Sequence, residues 1–139
     1  MPEQQKYQKK YENFSKILTR LNGHLEGRSI SQFSDLELSG LLKQFTLSFD
    51  LMWKTLKDYL EFNGVDIGII SPTNVLRSAA SSGLLEEMDV EGEDLIEMLR
   101  ARNQLTHVYD FETALDLLER IKVVYVPELL KVESFFNGK

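Results

Sequence analysis

The chain of 139 residues contains no cysteine. That removes disulfides, thiol nucleophiles and cysteine-based zinc or iron–sulfur sites. It holds two histidines, His24 and His107. A histidine-rich metal centre therefore cannot be built within one chain, and no metal and no cofactor is expected. No phosphate-cradling G-x-x-x-x-G-K-[ST], dinucleotide-binding G-x-G-x-x-G or zinc-binding H-E-x-x-H occurs. No apolar run is long enough to span a bilayer. The opening residues MPEQQKYQKKYENF are polar and lack a signal-peptide core, so the expected location is the cytoplasm. Positive charge is also in deficit, with 16 Lys and Arg against 22 Asp and Glu and a net charge of −6. A generic basic coat for nucleic acid is excluded, because such binding scales with the phosphates neutralised. A local basic pocket acting on RNA, or a basic protein partner, stays open.

What the chain does contain is helical periodicity. Tyr7, Tyr11, Phe14, Leu18 and Leu21 form one apolar stripe at 3/4 spacing, predicting a helix over about residues 3–22 that stops at Asn22–Gly23. Residues 23–33 then read as a loop. Ser34 and Glu37 form a capping box. Leu38, Leu42, Phe45, Phe49, Met52, Leu56 and Tyr59 follow at alternating steps of 4 and 3, with Leu41, Leu47, Leu51, Trp53 and Leu60 widening the stripe. This predicts a second helix ending at Asn63–Gly64. Its length suits packing on two things, its own bundle and a partner chain; a single core seam is the plainer alternative.

Ser71–Pro72 reads as an N-cap with Pro at the first helical position. It opens a short helix that Gly83 stops, with Val75, Leu76 and Ala79 facing inward. The acidic run 86–94 is expected to begin a fourth helix, whose apolar face is Leu95, Met98 and Leu99. Asp110 reads as the N-cap of a last helix through Phe136, kinked at Pro127. The expectation is an all-α single domain over 1–139, a five-helix up-and-down bundle.

Chemistry concentrates at the end of the fourth helix, in R-N-Q-L-T-H-V-Y-D (102–110). His107 titrates near neutrality and can take or give a proton. Arg102 is a permanent two-point cation suited to a phosphate. Asn103 precedes His107 by four residues, so on a continued helix the two share a face. Tyr109 adds a hydroxyl. These parts suit metal-free cleavage of an RNA phosphodiester, in which the 2′-OH is the internal nucleophile. That reaction needs a base and an acid, and a two-fold dimer would set two copies across one cleft. Arginine and histidine at a helix C-terminus also cap carbonyls and offset the dipole. Spacing alone therefore leaves a structural reading of the stretch open.

RNQLTHVYD resembles the R-x4-H-x-Y motif of HEPN domain proteins, specifically the HepT-type toxins paired with minimal nucleotidyltransferases. FTLSFDLMWKTLKDYLEFNG (45–64), SPTNVLRSAASSGLL (71–85) and the acidic approach to MLRARN (98–103) resemble a related branch, the nucleotidyltransferase substrate-binding proteins. The likeness spans roughly residues 36–130. It implies a HEPN-like four-helix core that forms a homodimer or higher oligomer and binds a minimal nucleotidyltransferase encoded beside it. It further implies that Arg102 and His107 are ribonuclease residues, supported by Asn103. Tyr109 is then the hydroxyl that the partner modifies with AMP, silencing a toxin. The alternative that the branch implies is a non-catalytic subunit that binds a substrate for its partner. The chain lacks the G-S and paired-Asp signature of the transferase, so it is not the transferase itself.

Overall fold

The computed structural model describes residues 2–106 and 110–139. All regular structure among them is helical. The helices are α1 (Pro2–Leu25), α2 (Asp35–Phe62), α3 (Pro72–Ser81), α4 (Leu84–Met88), α5 (Gly92–Gln104), α6 (Phe111–Arg120) and α7 (Val126–Asn137). A 3-10 turn (Ile30–Gln32) precedes α2, and a π-helical turn (Ile121–Tyr125) joins α6 to α7. With that joined pair counted as one, the described residues form six helices where the periodicity suggests five.

The capping residues do what their chemistry predicts. Glu37 N–H donates to Ser34 Oγ at 3.2 Å, and Ser34 N–H donates back to the Glu37 carboxylate at 3.1 Å. At the far end of α2, Val65 N–H reaches the Leu60 carbonyl and Gly64 N–H that of Glu61. Gly64 takes φ +81° to allow this closure. Ser71 Oγ accepts from Asn74 N–H at 3.1 Å, with Pro72 opening α3.

Three boundaries differ from the expectation. α1 does not stop at Asn22–Gly23; it continues to Leu25, which is buried in the core, and gives way only near Gly27 at φ +73°. Burial of one leucine outweighs the local cost of a helical glycine. The acidic run 86–94 does not form one helix start. The separate turn α4 closes after Met88, with Asp89 in the left-handed region at φ 59° and Val90 N–H on the Leu85 carbonyl, and α5 begins at Gly92. The kink expected at Pro127 is a π-helical turn just before it. Val126 N–H bonds the Ile121 carbonyl five residues back. The wider turn makes room for a ring that would otherwise meet the carbonyl four residues upstream.

One cluster of buried side chains runs through the helices. α2 lies at its centre, touching α1, α3, α5 and α6. Phe14, Leu18, Phe45, Phe49, Met52, Leu56, Leu95, Met98 and Leu118 are fully enclosed. Leu47, expected on the apolar stripe, faces outward and is 38% exposed. Asp58 is buried and ties α1 to α2 through Lys10 at 2.7 Å and Lys6 at 3.7 Å. No helix of the described residues is long and apolar enough to cross a membrane.

Candidate functional site

Arg102 stands in the last turn of α5, where its charge complements the helix dipole. Its side chain turns toward α2 and meets Asp50. Nε donates to Oδ1 and Nη2 to Oδ2, both at 2.9 Å. This two-point geometry matches the guanidinium fork to the carboxylate. Hydrogen bonding to Asp50 holds Arg102 more firmly protonated than usual. The pair is only partly covered, with the Arg102 side chain 29% accessible, and Asp50 engages two of its five N–H donors. Sequence reasoning does not single out Asp50. Its one signal is a carboxylate inside the apolar stretch FTLSFDLMW.

Asn103 is exposed at the same helix end. Its carbonyl accepts from the Thr106 hydroxyl at 2.8 Å and from Thr106 N–H at 3.3 Å. This turn ends α5 at Gln104. The shared helical face expected for Asn103 and His107 falls on a residue outside those described. His107 and Tyr109 themselves lie outside the described residues. The chain resumes at Asp110, which caps α6: Thr113 N–H donates to Oδ1 at 2.9 Å and the Thr113 hydroxyl to Oδ2 at 2.8 Å. The Thr113 backbone N–H keeps the Asp110 carboxyl below its ordinary range.

The surroundings of the motif are mixed in character. A groove of about 260 Å³ beside it is lined by Ser39, Leu42, Lys43 and Thr46 of α2 and by Leu105 and Thr106. Two exposed apolar side chains flank the motif: Leu47, one turn from Asp50, and Phe111, next to Asp110. Arg100 does not join Arg102. Two positions along a helix turn it to the opposite side, where it lines a groove of about 550 Å³ with Arg77 of α3. Among the described residues, no group of three or more His, Cys, Asp or Glu stands together in a way that could hold a metal ion.

A family model described as "Nucleotidyltransferase substrate binding protein like" matches residues 9–137. No curated protein matches the chain.

Proposed function

This chain belongs to the nucleotidyltransferase substrate binding protein-like family, and on that premise we propose that it is the helical partner of a minimal nucleotidyltransferase and a metal-independent ribonuclease toxin silenced by that partner. The observation that carries this reading is the fixed Arg102. Its fork is oriented by Asp50 at 2.9 Å while the side chain stays partly accessible. A cation held in this way is preorganised for charge that builds on a phosphate. In the proposed reaction the 2′-OH of RNA attacks the adjacent phosphorus and the 5′-oxygen leaves. His107 takes the hydroxyl proton, Arg102 neutralises the pentavalent phosphate, and Asn103 supports them. A second copy across a two-fold axis supplies the acid that protonates the leaving oxygen. The exposed Leu47 and Phe111 beside the motif suit cover by that second chain. Silencing follows when the Tyr109 hydroxyl attacks the α-phosphate of ATP on the partner and pyrophosphate leaves.

A cleavage assay on purified protein tests the reading. Wild type should cut RNA without added metal, and Arg102→Ala and His107→Ala should not. Equal activity in all three overturns it. Incubation with the transferase and ATP should add AMP at Tyr109, read by mass spectrometry. Addition at another residue instead overturns the assignment of Tyr109.

One observation favours a second reading, a non-catalytic subunit that presents a substrate to the transferase. Asp50 neutralises the motif's cation in a chain that is already acidic. This reading predicts co-purification with the transferase and no toxicity when the chain is expressed alone.

A further inference from the structure

The side of α5 turned away from Arg102 carries features that the motif does not use. A groove of about 550 Å³ lies between α3, α4 and α5. Leu76, Arg77 and Ala80 of α3 line it, with Leu85 of α4 and Ile96 and Arg100 of α5. Its volume lies within the ~300–1,000 Å³ of sites that hold a small molecule. Arg100 and Arg102 are two positions apart on the helix and so face different ways, which makes the groove separate from the Arg102 site.

Three observations converge here. The lining is hydrocarbon where it meets the core: Leu76 and Leu85 are buried, and Ile96 packs partly buried against the same cluster. Arg77 and Arg100 are exposed, and among the described residues neither makes a hydrogen bond or an ion pair. The two acids that also line the groove, Glu93 and Glu97, do not answer them. Glu97 is already engaged, since Arg120 Nε and Nη2 donate to its carboxylate at 2.7 and 3.0 Å. Arg100 feels it only through space. Glu93 stands two helical turns before Arg100, about 10 Å along α5. Three arginines therefore face two glutamates here, a positive balance in a chain whose net charge is −6.

Each observation constrains the ligand. The apolar lining gains by covering a hydrocarbon or aromatic body. Two guanidinium groups without a carboxylate ask for an anion, and their forks match a carboxylate or a phosphate. The positive local balance repels a cation of the same size. We propose that this groove binds a small amphipathic anion. Its apolar body lies on Leu76, Leu85 and Ile96, and its carboxylate or phosphate meets Arg77 and Arg100. The inference does not depend on whether the chain cleaves RNA.

The test is NMR titration of the full-length, isotope-labelled chain with decanoate, kept below its micelle concentration. Decanoate should shift the backbone amides of Arg77, Ala80, Ile96 and Arg100, saturably. Decyltrimethylammonium, which has the same tail and the opposite charge, should bind at least tenfold more weakly. Acetate, which has the charge and no tail, should give no saturable shift. Arg77→Gln with Arg100→Gln should weaken decanoate at least tenfold, and Ala80→Trp, at an exposed position, should fill the groove and abolish binding. Circular dichroism checks that the variants fold, and the comparison of decanoate with decyltrimethylammonium decides the matter on wild type alone if they do not. Tighter binding of decyl phosphate than of decanoate assigns a phosphate head; the reverse assigns a carboxylate. Unsaturable shifts, equal binding of decyltrimethylammonium, or full binding by a folded Ala80→Trp overturns the inference.

Discussion

Arg102 and Asp50 stand 52 positions apart in the chain and meet through two hydrogen bonds of equal length, 2.9 Å each. The contact joins the end of α5 to the middle of α2. It gives the motif's arginine one orientation rather than many. A lysine could not reproduce it, because an ammonium has no fork.

The first prediction separates the orienting role of Asp50 from a stabilising one. The pair is partly exposed, so its net worth is about 1 kcal/mol or less. Asp50→Asn should lower Tm by only ~2–4 °C, measured by calorimetry. RNA cleavage should nonetheless fall at least tenfold, and Arg102→Lys should do no better. Unchanged cleavage in Asp50→Asn would remove Asp50 from the proposed site.

Asp58 makes a prediction in acid. Burial by itself raises its pKa, but the hydrogen bond from Lys10, with Lys57 adding to it, outweighs burial and holds the carboxyl below its ordinary value of 3.8. A folded pKa below the unfolded one means stability that is present above pH ~4 and lost as pH falls through the folded value. Denaturant melts should show wild type losing stability faster than Asp58→Asn as the pH drops below about 4. At neutral pH the variant should be weaker by about 1.5–3 kcal/mol, since it loses hydrogen bonds made to a charged carboxylate. Parallel pH profiles for the two proteins contradict this account.

The π-helical turn makes a prediction about register. It absorbs one extra residue, so that α6 and α7 both keep their apolar faces on the core. Deleting Val123, which is 60% exposed, removes no core side chain and lets the turn close as α-helix, with Val126, Leu129, Val132 and Phe136, all buried, still facing inward. The cost is the Pro127 ring against the carbonyl four residues upstream, about 3 kcal/mol, and unfolding should stay cooperative. Val123→Ala, which keeps the π turn, should change stability by less than about 0.5 kcal/mol. A deletion variant that loses cooperative unfolding refutes the register argument.

Glu128 supports the start of α5 from another helix. Its carboxylate is buried, accepts from Glu91 N–H at 2.8 Å and pairs with Lys131 at 2.9 Å. Glu128→Ala leaves that backbone donor unanswered and should cost about 1–3 kcal/mol. Hydrogen exchange should speed up most at Glu91 and in the first turn of α5. An effect confined to α7 would show that Glu128 serves only its own helix.

Much of this architecture is legible in residues near one another in the chain. Ser34 with Glu37, Ser71 with Pro72, and Asn63 with Gly64 mark helix ends through local hydrogen bonds, so short windows suffice. Asn22–Gly23 looks like an equally good stop and is not one, because the burial of Leu25 is a tertiary gain invisible locally. Asp89 ends α4 in a conformation that glycine usually marks, so its signal is faint. Arg102 and Asn103 are legible as residues at a helix end. Asp50 is not legible as a partner, since an ion pair across 52 positions leaves no periodic trace. The expected roles of His107 and Tyr109 fall outside the described residues.

The two contacts on α5 have a joint consequence. Glu128 holds its first backbone donor and Asp50 holds the arginine of its last turn. Tilting or sliding α5 would strain connections to two different helices at once, so it behaves as a strut pinned at both ends. In the proposed assembly, a load placed on Arg102 would be shared along α5 with Glu128 and the last helix.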